Sequence, residues 1–155
     1  MSDSQRLLPA DLPASMDGAR SAAQTAEALV AAWNAHDPDQ AAALYAPDFE
    51  GTDVAQPEPQ RGPRDIRRIT GFYFRAFPDL QVTVDDRVIT GDRVVLVWTW
   101  QGTHRATFMR IPPTGRVVAV RGTTILTIRA GLIRASTRIW DLAGLLRGLG
   151  LLPDL

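Results

Sequence analysis

The chain has 155 residues, 45% of them hydrophobic, and its 17 Lys plus Arg are balanced by 17 Asp plus Glu. That is the size of one domain with one core, and the charge balance excludes a global field that would gather nucleic acid or anionic lipid. With no cysteine and only two histidines, His36 and His104, it also excludes disulfides, thiolate metal sites, a cysteine nucleophile and a recognisable zinc pattern.

The opening stretch MSDSQRLLPADLPASMDGAR lacks a basic start followed by a long apolar run. No later apolar run approaches the ~20 residues of a spanning helix. The expectation is a soluble cytoplasmic protein with no membrane partner, in which residues 1–20 form a mobile extension and 21–152 a single domain.

SAAQ at 21–24 has the form of a capping box, with Ser21 accepting from the backbone and Gln24 reaching back. Ala26, Leu29, Val30 and Trp33 then recur at helical spacing, which gives the first helix one apolar face. In NAHDPD, Asp37 and Pro38 suit the N-cap and first turn of a short second helix, with Leu44 and Tyr45 as its packing residues. APDFEGTDVAQPEPQRG has no period and many turn formers, so it reads as a loop with one short strand near Phe49. A third helix begins at Pro63, sets Ile66, Ile69, Tyr73 and Phe77 on one side, and ends at Pro78.

From Leu80 the period becomes two. Val82, Val84 and Val88 alternate with polar residues, Gly91 and Asp92 turn the chain, and RVVLVWTWQGTHR is a long β-rich run. IPPTGR reverses it, VVAVRGTTILTIR is a third strand, Ala130 and Gly131 make a tight turn, and LIRASTRIW is a fourth. Three helices, a meander of long strands and a C-terminal helix make an α+β fold in which a curved antiparallel sheet wraps the helices as a cone. Its concave side is the natural place for an apolar ligand.

AAWNAHDPDQAAALYAPDF, RGPRDIRR, AFPDLQVTV, GDRVVLVWTWQGTH, IPPTGR and WDLAGLLRGLG together resemble the SnoaL-like polyketide cyclases of the nuclear-transport-factor-2-like superfamily. The resemblance covers residues 22–150 and implies the cone fold of that superfamily. In that family the aldol cyclases carry an aspartate on the last strand, a histidine on the strand before it and an asparagine after the second helix. The corresponding residues here are Arg138, Thr124 and Gly51, so all three polar groups of the cyclase pattern are missing. An aldol closure needs a proton removed and another delivered, and arginine does neither. It can instead hold an enolate, phenolate or peroxide anion on fixed N–H donors.

STRIWDLAGLLRGLG is most similar to a smaller branch of that family, the anthracycline hydroxylases. The resemblance implies hydroxylation of an aromatic polyketide with no bound cofactor, molecular oxygen as co-substrate and a partner reductase as electron source. A cyclase with a non-standard site and a non-catalytic binder of hydrophobic small molecules are the alternatives.

Arg138 shares the inward face of the last strand with Ser136 and Trp140, either holding an anion or pairing with a loop carboxylate, for which Asp53 is the nearest candidate. Asp53 occupies, by count, the base position of ketosteroid isomerase; it is either a base facing the cavity or a solvated aspartate capping a turn. With Thr124, these are the candidate catalytic residues. Trp98 and Trp100 share a face and suit a planar polycycle, Trp100 more than Trp98, which serves equally as core. Ser136, Trp33, Gly51 and at least one of Tyr73, Phe74 and Phe77 complete the candidate substrate site, with Tyr73 and Phe74 as the candidates from the third helix. His104 lies near the expected mouth, as a proton shuttle or a surface histidine. Val118, Val120, Leu126 and Ile128 share the parity of Thr124 and form an apolar wall. Asp141 reads as the N-cap of the last helix. The outward face carries Val117, Ile125, Ile133 and Ile139, which predicts a homodimer.

Overall fold

The computed structural model describes residues 19–155, so the extension expected over 1–20 lies outside the described residues but for its last two. The elements are α1 (Ala22–Asn34), α2 (Pro38–Ala42), β1 (Tyr45–Asp53), β2 (Gln60–Arg61), α3 (Gly62–Ala76), β3 (Gln81–Thr90), β4 (Arg93–Thr103), β5 (Val117–Arg129), β6 (Leu132–Trp140) and α4 (Leu142–Gly148). The strands form one sheet in the order β2-β1-β6-β5-β4-β3. The expected α+β cone is present. The sheet is not wholly antiparallel, however, because β1 runs parallel to β6.

The helices begin where the sequence chemistry places them. Ser21 Oγ accepts from the Gln24 amide at 3.1 Å while Gln24 Oε1 accepts from the Ser21 amide at 2.9 Å, closing the capping box. Asp37 caps α2 through the Gln40 amide, and Asp141 caps α4 through the Gly144 amide. The short α2 ends at Ala42, so Leu44 and Tyr45 lie beyond it, and Tyr45 instead opens β1. At the far end of α1 the Asn34 amide pairs with the edge strand as another strand would. Its Nδ2 donates to Val82 O at 3.0 Å and its Oδ1 accepts from Val82 N at 2.7 Å.

The short strand expected near Phe49 is present as β1 but extends to nine residues, taking up much of the loop expected around it. Its inward positions after Ala46 are Phe49, Gly51 and Asp53. A glycine and an aspartate on the buried face erase the apolar alternation by which a strand is recognised. Three irregularities set the remaining parities. Between Val84 and Asp86 the register of β3 slips against β4, which leaves Val88 56% exposed instead of continuing the face of Val82 and Val84. Thr127 pairs with Ala135 but Ile128 with Ile133, so one extra residue of β6 inverts the strand and Ile133, expected outside, is fully buried. The third slip separates Tyr45 from Glu50 in the pairing of β1 with β6.

The core lies between the sheet and α1–α3, with Phe77, Leu80, Val94, Trp100 and Leu126 at 0–1% exposure. Val118, Val120 and Ile128 are buried in it as well. On the outer face Val97, Val117 and Ile139 are exposed and Ile125 is half-buried.

Replacing Asn34 by alanine removes both bonds to Val82 and leaves its backbone groups at the edge of α1 without that partner. A loss of about 1–3 kcal/mol is expected from denaturant unfolding with an unchanged m-value, since two hydrogen bonds and no large apolar area are involved.

Candidate functional site

Three rows of cross-strand partners build the site. Asp53, Arg138, Thr124 and Leu96 lie side by side across β1, β6, β5 and β4. Gly51, Ser136, Leu126 and Val94 form the next row towards one end, and Trp140, Gly122 and Trp98 the row towards the other. Gly122 has a structural reason. A Cβ there would collide with the Trp98 ring, Cζ2 and Cη2, and with Trp140 Cβ. The missing side chain lets two indoles approach from neighbouring strands and flank Arg138.

The Arg138 guanidinium stands 5.1 Å from the Trp98 ring centre, 5.2 Å from that of Trp140 and 5.1 Å from that of Tyr73. Its side chain is 14% exposed and that of Asp53 4%. Nη1 donates to Tyr73 Oη at 2.8 Å and, at 3.4 Å, to Asp53 Oδ2. Asp53 Oδ1 in turn accepts from Trp140 Nε1 at 2.8 Å and from the Ala55 amide at 2.9 Å. Asp53 is thus neither a solvated loop residue nor a wall of the cavity. It lies at the end of β1 behind the guanidinium, as the buried counter-charge that a buried arginine requires.

In front of Arg138 is a cavity of about 90 Å³ lined on the sheet side by Leu96, Trp98, Trp100, Thr124, Ser136 and Arg138. Leu29, Val30 and Trp33 of α1 and Ile66, Ile69 and Thr70 of α3 form the opposite wall, with Tyr45, Gln60 and Val82 at the sides. The structure therefore brings together Arg138, Thr124, Trp98, Trp100, Ser136 and Trp33 from the sequence-derived set. Trp98 Nε1 donates to Thr124 Oγ1 at 2.9 Å, which fixes both. Trp100 is 1% exposed, and its buried Nε1 has no hydrogen-bond partner among the described residues.

The other candidates fall elsewhere. Gly51 is packed beneath Ser136 and Phe49; a Cβ there would stand 2.6 Å from both Ser136 Oγ and Phe49 Cζ, so an asparagine requires both side chains to move. Tyr73 reaches Arg138 from α3 without lining the cavity, and Phe77 is core. Phe74 stacks on His36, ring centres 4.6 Å apart, and faces an outer surface depression of about 530 Å³ together with Arg67, Arg68 and Arg75. His104 is fully buried rather than at a mouth. Its Nδ1 lies 3.1 Å from Thr114 Oγ1 and its ring stacks on Phe77. Burial pushes its pKa below the ordinary value, only partly opposed by the backbone of Ala106, so it is a neutral core histidine.

The polar cavity residues that sequence reasoning missed are Tyr45, Gln60 and Thr70. Tyr45 had a signal as an aromatic next to a helix end, but the strand expected near Phe49 was drawn too short to include it. Burial raises the pKa of Tyr45, with the positive charge of Arg138 opposing. Burial also raises that of Tyr73, opposed by the charge and hydrogen bond of Arg138 and slightly reinforced by Asp53. Both phenols are proton carriers held in the neutral state. Among the described residues no group of three or more His, Cys, Asp or Glu side chains is arranged to hold a metal ion.

A family model described as SnoaL-like polyketide cyclase matches residues 23–149. Among solved structures the chain is similar to AclR of Streptomyces galilaeus, proposed to be a hydroxylase, at 28% identity over 86% of this chain and 87% of that one, with a TM-score of 0.77. It is similar to TsrD of Streptomyces laurentii at 29% identity, covering 92% and 100% of the two chains, TM-score 0.76. IdmH of Streptomyces antibioticus, proposed to be a polyketide cyclase, shares 30% identity over 84% and 99%, TM-score 0.73. Among curated proteins none matches the sequence significantly.

Tyr45 and Tyr73 are the only tyrosines of the chain, which makes their ionisation readable by absorbance. Their folded pKa values are raised above the ordinary phenol value of about 10. The resulting stabilisation is fully present below that pH and is lost as pH rises towards the folded values. In an alkaline titration, tyrosinate absorbance should appear together with loss of the native circular dichroism rather than before it. Tyrosinate forming near pH 10 in folded protein would contradict the burial of both rings.

Proposed function

The chain belongs to the SnoaL-like polyketide cyclase family, and from that premise we propose that it tailors an aromatic, anthracycline-type polyketide by hydroxylation without a bound cofactor. The observation that carries this reading is Arg138, a permanently charged donor at the centre of the cavity wall where an aldol cyclase needs a group that exchanges protons. The likeness to AclR supports the same reading.

In this chemistry a reduced, electron-rich ring carries its negative charge on an oxygen held by the free N–H groups of Arg138, while Trp98 and Trp100 lie along its flat apolar surface. The ring carbon adds to molecular oxygen to give a carbon-bound peroxide anion. A partner reductase supplies two electrons which, with three protons taken up by the peroxide anion, break the O–O bond, and the ring becomes aromatic again as the proton on the attacked carbon moves to the ring oxygen. One oxygen atom stays as the new hydroxyl and the other leaves as water. Arg138 stabilises the anions on this path, Thr124 and Ser136 offer hydroxyls beside them, and Asp53 holds the guanidinium in place instead of acting as base. At about 90 Å³ the cavity is well under the ~300 Å³ of an ordinary ligand pocket, so a polycycle enters only as side chains of its walls shift.

A second reading is ring closure by anion stabilisation and shape alone, favoured by the 30% identity to IdmH. The reading also includes a twofold dimer through the outer sheet face, where Val97, Val117 and Ile139 are exposed. Light scattering should then give twice the chain mass, and Ile139→Glu should return it to one.

The deciding experiment supplies the purified protein with an anthrahydroquinone, isotopically labelled oxygen gas and a hydride-dependent reductase. One labelled oxygen atom in the product, with turnover lowered about 10²–10³-fold by Arg138→Gln, is expected. Oxygen-independent closure of a linear polyketide with no label incorporated would establish the cyclase reading in its place.

A further inference from the structure

Resting on the reading that the cavity takes an aromatic polyketide, we propose that it accepts its ligand as a preformed anion, a phenolate, enolate or carboxylate on a planar ring system, and removes no proton itself. The lining carries one permanently charged donor, Arg138, and no anionic group. Nη1 of Arg138 directs its two hydrogens to Tyr73 and Asp53, which leaves Nη2 and Nε without a partner among the described residues. The indole of Trp100 lines the same cavity, and its buried N–H has no partner among the described residues. Thr124 Oγ1 already accepts from Trp98, so its proton is what remains to give.

No carboxylate or imidazole belongs to the lining. The one carboxylate nearby, Asp53, has both oxygens engaged and stands on the far side of the guanidinium. The charged and titratable groups around Arg138 are Asp53 and Tyr45 from β1 and Tyr73 from α3; β4 and β5 contribute Trp98 and Thr124, which do not titrate. Arg138 belongs to the cavity lining and Asp53 does not, so the positive member of the buried pair is the one presented to a ligand. Both phenols are held neutral, and Tyr73 Oη accepts from Arg138, so neither supplies a base.

The test is equilibrium binding by tryptophan fluorescence with two near-isosteric probes, anthraquinone-2-carboxylate and anthraquinone-2-carboxamide. The carboxylate should bind at least about tenfold more tightly, as charge-assisted hydrogen bonds imply, and Arg138→Gln should abolish the preference. Equal affinities would overturn the proposal and leave the aromatic cavity standing; failure of both probes to bind would overturn both. Because Arg138→Gln leaves Asp53 without its partner, a second measurement uses the wild-type protein alone. Bound 1,2-dihydroxyanthraquinone should show the phenolate visible spectrum at a pH at least one unit below that of the free dye, and an unshifted or raised transition would overturn the proposal.

Discussion

A guanidinium with a side chain 14% exposed has to be paired, and the rest of the site follows from how this chain pairs Arg138. The counter-charge is on β1, the strand that joins the sheet in parallel to β6, and that pairing sets Asp53 opposite Arg138. Asp53 is held in turn by Trp140 and the Ala55 amide, so the ion pair is tied at both ends to the sheet. Breaking such a pair from one side leaves a buried charge, which costs about 3–5 kcal/mol. Arg138 is thus a fixed electrostatic feature of the cone and not a mobile side chain that happens to reach the cavity.

The aromatic surround has the same origin. Gly122 in the neighbouring row admits Trp98 and Trp140 to either side of the guanidinium, and Tyr73 closes it from α3. Three ring faces and a carboxylate enclose one cation and hold it in the cavity wall. The hydrogens of Nη1 directed at Tyr73 and Asp53 tie the side chain to the fold, and Nη2 and Nε have no partner among the described residues.

The long strands and the helices were legible because local chemistry and hydrophobic period agree in them. Ser21, Asp37 and Asp141 cap the helices they were expected to cap, and the turns at Gly91 and Gly131 fall where glycine is needed at positive φ. Arg138, Thr124, Ser136, Trp98 and Trp100 converge because β5 and β6 keep a regular register through the site. The length of β1 was illegible because two of its inward residues are Gly51, packed under Phe49 and Ser136, and Asp53, paired with Arg138, so only Phe49 showed the apolar face of a strand. Ile133 and Val88 were misplaced because a bulge inverts parity, and nothing in the residue types around them announces one. His104 was assigned to the mouth by its distance from the turn, whereas the loop after β4 folds back and buries it against Phe77 and Thr114.

The missing cyclase residues are not three independent losses. An aspartate at position 138 would stand beside Asp53 on the adjacent strand, two buried carboxylates with no cation between them. An asparagine at position 51 would strike Ser136 and Phe49. A histidine at position 124 would have to displace the hydroxyl that accepts from Trp98, and with it the ring that stacks on the guanidinium. Each substitution towards the cyclase pattern conflicts with a neighbour in the arrangement seen here, through an unpaired charge, a steric clash or a lost hydrogen bond. Arg138, Thr124 and Gly51 are for that reason a mutually consistent set, in which a paired arginine occupies the centre of the site.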